Sequence, residues 1–228
     1  MRGGRRQGLN RVAQAVLKKA FKVKSDHQPT SGAETGLKLW PWLLGVTVPL
    51  YILDQVTKFW VVGRFPPPWA DVPMDERMIP VIDGYFNLVR VHNQGVAWGM
   101  GNGTEWAPLV FPFISLAAFI LITVGLKKSF FQGRLGMLAV ALLITGIVGN
   151  LTDRLVQGSL LEEMQGAPLW ERLKAGYVVD FLDFTIPLIN YRWPSFNVAD
   201  SCICVAAVLL FLSGMKAEKE LKAAKAKA

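Results

Sequence analysis

The chain has 228 residues, is 52% hydrophobic and carries a formal net charge of +8 at pH 7. Its length suits one domain with about four membrane spans and excludes two domains of ordinary size. Much of the positive charge lies in residues 1–38 and 216–228, as in the cytoplasmic flanks of a membrane protein. Because no basic stripe accompanies exposed aromatic residues within a folded module, this pattern speaks against nucleic-acid binding.

Four apolar segments are long enough to cross a membrane as helices. They lie at about 39–62, 107–126, 135–156 and 196–215. Each has roughly 20 residues and measures about 30 Å as a helix, which is the thickness of the hydrocarbon core. No cleavable signal peptide is expected, because the first apolar run begins near Leu39, too late in the chain and too long.

Lysine and arginine are divided unevenly between the two sides that four spans create. The tail 1–38, the connection 127–134 and the tail 216–228 carry 17 of them, and the connections 63–106 and 157–195 carry six. The positive-inside rule therefore predicts cytoplasmic termini and two outer loops. The N-terminal tail repeats apolar residues at helical spacing, which fits either a helix on anionic lipid or a disordered basic tail.

The first outer loop contains a strand-like segment. Residues 86–92 alternate in strand fashion, and Gly and Asn turns follow them. The sequence thus predicts an all-α membrane protein of four transmembrane helices with a small periplasmic β-containing loop region. Its expected parts are a basic cytoplasmic tail at 1–38, a transmembrane domain at 39–215 and a basic cytoplasmic tail at 216–228.

Polar residues of the predicted spans gather near the outer surface. Asp54 and Lys58 share one face of the first span because they are four residues apart. The third span ends with three polar residues at i, i+3 and i+4, and the fourth begins with two at i and i+3. These five are Asn150, Asp153, Arg154, Asn197 and Asp200. A carboxylate at membrane depth is costly unless it is paired, hydrated or uncharged, so this cluster is a candidate functional site.

Asp180 and Asp200 are the candidate catalytic residues. Asp180 precedes the fourth span on the outer side, and Asp200 lies near the start of that span. Two carboxyl groups that meet hold one proton between them, which is the arrangement of an aspartic protease. Asp183 is the alternative to Asp180. The cysteine and histidine spacings match no metal site, so no metal is expected.

Structural roles also fit the other polar residues. An ion pair with Arg154 at the helix end is the favoured role of Asp153. Asp54 and Lys58 fit a snorkelling pair at the interface as well as a brace of the site. The asparagines of the third and fourth spans fit interhelical hydrogen bonds. A transporter or proton channel would distribute polar groups along the membrane depth, and the single level found in this sequence favours a protease.

Five short stretches resemble, in the same order, the motif set of the lipoprotein signal peptidase family, also called signal peptidase II. They are Leu53-Asp-Gln-Val-Thr-Lys58, Asn93-Gln-Gly-Val-Ala-Trp98, Gly149-Asn-Leu-Thr-Asp-Arg154, Val178-Val-Asp-Phe181 and Phe196-Asn-Val-Ala-Asp200. The resemblance covers about residues 39–211. It implies a membrane aspartic endopeptidase that removes the signal peptide from prolipoproteins by cleaving before a diacylglyceryl-modified cysteine.

The resemblance also assigns roles to single residues. Asp180 and Asp200 match the catalytic pair of the family. Seven others match residues that bind substrate or brace the site, namely Asp54, Lys58, Asn93, Asn150, Asp153, Arg154 and Asn197. The expected partners are a diacylglyceryl-modified prolipoprotein and membrane lipid, with no cofactor. The expected state is a monomer in the bacterial inner membrane, with its active site near the outer face.

Three features depart from the family pattern. Thr145-Gly146 stands where Gly-Gly is usual, and Val96 stands where a smaller Ala is common. The segment 157–176 is longer than expected between the third-span motif and Asp180. Two roles fit this segment, a lid or partner surface and a passive insertion, and the passive role is favoured because loops tolerate insertions. In that role its apolar side chains rest on lipid, namely Leu160, Leu161, Trp170 and Leu173.

Overall fold

The structure is a computed structural model that describes residues 38–95, 106–131 and 133–227. Two expectations lie outside these residues. One is the structure of the basic tail before Lys38, and the other is the end of the Asn93–Trp98 motif, including the Val96 departure.

Each of the four apolar segments contains a long helix. The helix α1 covers Val48–Arg64, α2 covers Ala107–Lys127, α3 covers Gly133–Leu160 and α4 covers Val198–Lys227. Within the described ranges, three helices contain stretches long and apolar enough to cross a membrane, at Val110–Lys127, Gly133–Leu160 and Val198–Ala226. The second, third and fourth predicted spans are therefore confirmed as long apolar helices.

The first predicted span is also helical, but it is divided. Its helix α1, with 17 residues, is not among the three helices of the described ranges that are long and apolar enough to cross a membrane. A short helix at Trp40–Trp42 and a π-helical turn at Leu43–Thr47 precede α1 directly. Pro49 has no N–H to donate to the turn before it, so the regular α-helical hydrogen bonds are interrupted at this point. The residue run 40–64 remains helical throughout.

The helix α4 extends well beyond the predicted end of its span at residue 215. Residues 216–227 are rich in Ala, Lys and Glu, which favour helices. Two ion pairs at i, i+4 spacing support this extension, Lys216 with Glu220 at 3.9 Å and Glu218 with Lys222 at 2.6 Å. The predicted boundary between domain and tail at residue 216 is thus no helix boundary.

A four-stranded antiparallel sheet is built from the two long connections. Its strands, in sheet order, are β1 (Met78–Ile82), β2 (Phe86–Asn93), β3 (Val178–Ile186) and β4 (Tyr191–Arg192). The expected strand at 86–92 is confirmed as β2. In the register of β2 and β3, Val91 pairs with Asp180 and Asn93 pairs with Val178. Asn93 and Asp180 therefore stand on one face as diagonal neighbours.

Two apolar cores hold the sheet and the helices together. The first core lies between α1 and β3 and buries Val61, Phe65, Tyr177, Val179 and Phe181. The second joins α3 to α4 through small or slender side chains, namely Ala139, Leu142, Cys202 and Ala206. Apolar burial of this kind fixes the position of β3 above the ends of the helices.

Glycines in α3 allow α4 to approach closely. A Cβ on Gly146 would overlap the Ile203 side chain and would lie 2.6 Å from the Ala199 carbonyl oxygen. A Cβ on Gly149 would lie 3.0 Å from the Ala199 Cβ in α4 and 2.6 Å from Oδ2 of Asp54 in α1. The neighbouring Thr145 is fully buried and donates to the Ala141 carbonyl oxygen, so a side chain is accommodated there.

The substitution Gly146→Ala should destabilise the protein by about 1–3 kcal/mol, because the added methyl group overpacks the contact between α3 and α4. Thermal unfolding of the purified protein in detergent measures this effect. The matched control is Gly214→Ala in α4, where no atom lies within 4 Å of the added Cβ. That control should keep or slightly raise the unfolding temperature, and equal unfolding temperatures for both variants would contradict the packing described.

Candidate active site

A buried ammonium group lies near the helix ends against which the sheet packs. Nζ of Lys58 in α1 lies 2.9 Å from Oδ2 of Asp54, 3.0 Å from Oδ2 of Asp153 and 3.0 Å from Oδ1 of Asn150. The Lys58 side chain is 1% exposed, and both carboxylates are fully enclosed. The three acceptors match the three N–H donors of the ammonium group, so its charge is both paired and hydrogen-bonded.

The two carboxylates around Lys58 also bind backbone groups of other elements. Oδ1 of Asp54 accepts the backbone N–H of Ala199, in the first turn of α4, at 2.9 Å. Oδ2 of Asp153 accepts the backbone N–H of Val179, in β3, at 3.0 Å. The Lys58 cluster therefore connects α1 and α3 to the start of α4 and to β3.

The expected ion pair between Asp153 and Arg154 is wrong. Asp153 is paired with Lys58, whereas Arg154 donates to the carbonyl oxygens of Gln94 at 3.3 Å and Gly95 at 2.8 Å. The Arg154 guanidinium also lies 4.1 Å from the centre of the Phe111 ring. Successive residues of a helix point about 100° apart, so Asp153 and Arg154 face different neighbours.

Asn150 carries the influence of Lys58 to Asp200. Its Oδ1 accepts from Lys58, and its Nδ2 donates to Oδ1 of Asp200 at 2.8 Å. Because a side-chain amide has its acceptor on one side and its donors on the other, the ammonium group fixes which end of the amide faces the carboxylate.

Asp200 is held by the N-terminus of its own helix. Asn197 is the residue before α4, and its Oδ1 accepts the backbone N–H of Asp200 at 2.9 Å. In return, Oδ2 of Asp200 accepts the backbone N–H of Asn197 at 3.3 Å. This reciprocal pair is a capping box, and the positive end of the helix dipole favours negative charge at this position.

Asp180 lies in β3, is 1% exposed and accepts two side-chain amides. Nδ2 of Asn197 donates to its Oδ1 at 2.7 Å, and Nδ2 of Asn93 donates to its Oδ2 at 2.9 Å. Asn197 thus contacts both Asp180 and Asp200. Burial, and then the negative charge of Asp200, raise the pKa of Asp180 to about 8.

Asp183 lies in different surroundings from Asp180. Its Oδ1 lies 2.6 Å from Nε of Arg192, and its Oδ2 accepts from Nδ2 of Asn87 at 3.2 Å. Residues three apart in a strand point to opposite faces, which explains why Asp183 does not join the other polar residues.

A cavity of about 1010 Å³ opens beside Asp180 and Asp200. Its walls come from the ends of β2 and β3, from the segment 191–196 and from one side of α4. They are mostly apolar or aromatic, and include Val91, Tyr191, Trp193, Phe196, Ile203 and Val205. Within the part of the chain that the structure describes, no three His, Cys, Asp or Glu residues are grouped to hold a metal ion.

One polar residue of this centre was not singled out from the sequence. Nε2 of Gln55 lies 3.1 Å from Oδ2 of Asp54, 3.3 Å from Oδ1 of Asp153 and 3.3 Å from the Gly149 carbonyl oxygen. Its position next to Asp54 was the available signal. The contacts with α3 depend on helix packing, and the sequence alone does not specify them.

The substitution Lys58→Met should lower the free energy of unfolding by about 3–5 kcal/mol, because it leaves the carboxylates of Asp54 and Asp153 buried without a cation. Thermal unfolding measures the loss. Lys174→Met is the control, since Lys174 forms a more exposed pair with Glu171 at 3.5 Å and its removal should cost less than about 1 kcal/mol. Wild-type stability of Lys58→Met would contradict the central role given to this ammonium group.

Comparison with known proteins is consistent with this geometry. The family model described as signal peptidase (SPase) II matches residues 46–216. The lipoprotein signal peptidase of Shewanella pealeana is 33% identical over 85% of this chain and 95% of its own length. That of Ralstonia nicotianae is 36% identical over 77% of this chain and 84% of its own length.

A solved structure is also similar to this chain. A bacterial membrane enzyme determined by the in meso method at 2.3 Å resolution matches with a TM-score of 0.58 and 25% identity. The match covers 76% of this chain and 87% of that one. The chain therefore belongs to the signal peptidase II family, the bacterial membrane proteases that remove signal peptides from prolipoproteins.

Proposed function

We propose that this chain is an aspartic endopeptidase that cleaves prolipoproteins before the diacylglyceryl-modified cysteine, with Asp180 and Asp200 as its catalytic dyad. The observation that carries the proposal is the position of Asn197, which contacts both carboxyl groups at the wall of the large cavity. Each carboxyl group also has a further amide of its own, from Asn93 or from Asn150. The geometry therefore fixes both carboxyl groups and leaves open space beside them for a peptide.

In the proposed reaction, one carboxyl group of the dyad is ionised and the other is protonated. The ionised group takes a proton from a water molecule as that water attacks the scissile carbonyl carbon, and the protonated group donates its proton to the carbonyl oxygen. The tetrahedral intermediate then collapses. A hydroxyl group of the intermediate returns its proton to the ionised member of the dyad as the carbonyl re-forms, the C–N bond breaks, and the other member gives its proton to the leaving amine. The products are a carboxylic acid and an amine, and the dyad again holds one proton.

The asparagines suit a dyad that changes its protonation state during the reaction. The amides of Asn93, Asn150 and Asn197 donate to carboxyl oxygens but carry no charge that would fix both groups as carboxylates. Asp183, in contrast, is held beside the guanidinium of Arg192. Asp183 is also not among the residues that line the cavity, which places it poorly for proton transfer to a bound peptide.

The proposed topology has four spans, with the divided helical run 40–64 as the first. In this topology the protein lies in the bacterial inner membrane with both termini in the cytoplasm. The sheet and the dyad lie near the outer face. The distribution of lysine and arginine supports this orientation. Asp200 in the first turn of α4 and Arg154 near the end of α3 both support a site at the membrane boundary.

The proposed partners are a diacylglyceryl-modified prolipoprotein and the surrounding membrane lipid. The mostly apolar cavity wall formed by α4 and the segment 191–196 supports a lipid-bearing substrate. A diacylglyceryl group anchors the modified cysteine at the interface, the depth at which the carboxyl groups gather. The protein is proposed to act as a monomer, since one chain contains both aspartates and the amides that bind them.

Asp180→Asn and Asp200→Asn should each abolish cleavage of a diacylglyceryl-modified prolipoprotein, because an amide neither accepts the proton of water nor supplies one. The assay uses purified protein in detergent, with thermal unfolding as the check of folding. Asp183→Asn is the matched control, since it removes a buried carboxylate three residues away and should retain cleavage. Cleavage by a folded Asp180→Asn or Asp200→Asn variant would disprove the dyad.

The value of kcat/KM should fall as the pH rises through about 8. Below this pH the dyad keeps a proton, because the pKa of Asp180 is raised to about 8, and above it the dyad loses that proton and has none to donate. A pH profile of cleavage between about pH 7 and about pH 10 tests this. Asp183→Asn should show the same decline, and a flat profile over that range would contradict a shared proton.

A further inference from the structure

The segment 157–176 folds into a compact unit between the end of α3 and the start of β3. It contains a single 3₁₀ turn at Glu162–Met164 and a short helix at Leu169–Lys174. Nε of Arg172 donates to the Ala167 carbonyl oxygen at 2.8 Å, which closes the second half of the segment on itself. The segment 157–176, called the insertion below, is thus structured in its own right.

Two glycines attach the insertion tightly to α3. A Cβ on Gly158 would overlap the carbonyl oxygen of Arg172, and a Cβ on Gly176 would overlap the carbonyl oxygen of Arg154. Backbone therefore lies directly on backbone at both ends of the insertion. Leu161 adds a side-chain contact, because it packs against the core between α1 and β3. The insertion and the start of β3 are consequently coupled in position.

Apolar side chains of the insertion remain uncovered. Leu160 is 60% exposed, Leu169 is 63% exposed and Trp170 is 54% exposed. Of the four residues expected on lipid, Leu160 and Trp170 are exposed, Leu161 is packed inward and Leu173 is half-buried. The cation of Lys174 lies 5.7 Å from the centre of the Trp170 ring. An exposed Trp beside a Lys is a combination typical of a membrane interface.

The position of these residues beside the membrane-spanning helices indicates that lipid covers them. Leu160 is the last residue of α3, and the exposed Leu155 and Val156 precede it on the same apolar helix. The short helix Leu169–Lys174 contacts both α2 and α3. The exposed side chains of the insertion therefore continue the surface that these helices present to lipid, at the end that carries Asp180 and Asp200.

We propose that the insertion is a membrane-contacting foot, in which Leu160, Leu169 and Trp170 enter the boundary between lipid headgroups and acyl chains. Lys174, whose ammonium group lies over the Trp170 ring, keeps its charge at the headgroup level. Since Gly176 lies four residues before Asp180 and is fixed against α3, the foot sets the depth of β3 at the membrane surface.

Fluorescence quenching of Trp170 tests the contact without reference to catalysis. The protein is placed in nanodiscs of phosphatidylethanolamine and phosphatidylglycerol that contain phosphatidylcholine brominated near the headgroup. Because the protein has eight tryptophans, the emission of Trp170 is obtained as the difference between the wild type and Trp170→Phe. This is a conservative change at an exposed position. This component should be quenched by the brominated lipid and only weakly by aqueous iodide.

Two other results would overturn the proposal. Quenching by iodide without quenching by brominated lipid would place Trp170 in water. Quenching by neither would show that protein covers it, either a second copy of this chain or another partner.

The effect on depth is tested with a matched pair of variants. Leu169→Asp places a charge on the foot, and Gln165→Asp adds the same charge to an exposed polar position of the insertion. For a lipidated peptide in nanodiscs, Leu169→Asp should lower kcat/KM about tenfold, and in detergent micelles by less than about twofold, because detergent rearranges around the charge. Gln165→Asp should match the wild type in both.

This kinetic test rests on the proposed function, whereas the quenching test does not. A folded but inactive wild-type protein would therefore refute the proposed peptidase mechanism. The membrane contact of the insertion would still be tested by the quenching experiment. An equal loss in nanodiscs and micelles, or no loss in nanodiscs, would refute the role of the foot in setting depth.

Discussion

The arrangement of the site depends on one buried cation. An ammonium group removed from water is costly unless its charge is balanced and its three donors are used, and Lys58 meets both conditions through Asp54, Asp153 and Asn150. The same two carboxylates also bind backbone N–H groups of α4 and β3. Any shift of these elements would leave buried charge or a buried donor unpaired. The cluster therefore favours one relative position of α1, α3, α4 and β3.

The proposed dyad is connected to this cation through two hydrogen bonds of Asn150. Lys58 orients the amide of Asn150 toward Asp200, and Asn197 joins Asp200 to Asp180. The dyad thereby receives fixed geometry through neutral amides, whereas the full positive charge remains paired with Asp54 and Asp153. This separation would allow the two carboxyl groups of the proposed dyad to share a proton, because a cation in direct contact would favour ionisation of both. Asp54 and Asp153 thus hold the elements in position, whereas Asp180 and Asp200 are the groups proposed to transfer protons.

The features that local pattern determines were predictable from the sequence. Apolar length predicted the helices, and the i, i+3 and i+4 spacing predicted which polar residues share a helix face. Contacts between residues far apart in the chain were not predictable. The sequence therefore pairs Asp153 with its neighbour Arg154, whereas in the structure Asp153 binds Lys58 in another helix. The extension of α4 was missed because its charged, Ala-rich sequence was interpreted as a tail. The strand β3 was missed because both of its faces are largely buried, which removes the alternation that identified β2.

Infrared spectroscopy of the carboxyl groups tests most directly whether the dyad holds one proton. At neutral pH we expect one protonated carboxyl group per molecule, which titrates away near pH 8 in line with the raised pKa of Asp180. Its absorption should vanish in the double variant Asp180→Asn/Asp200→Asn and persist in Asp183→Asn. Absence of that absorption from the wild type, or its survival in the double variant, would contradict the account.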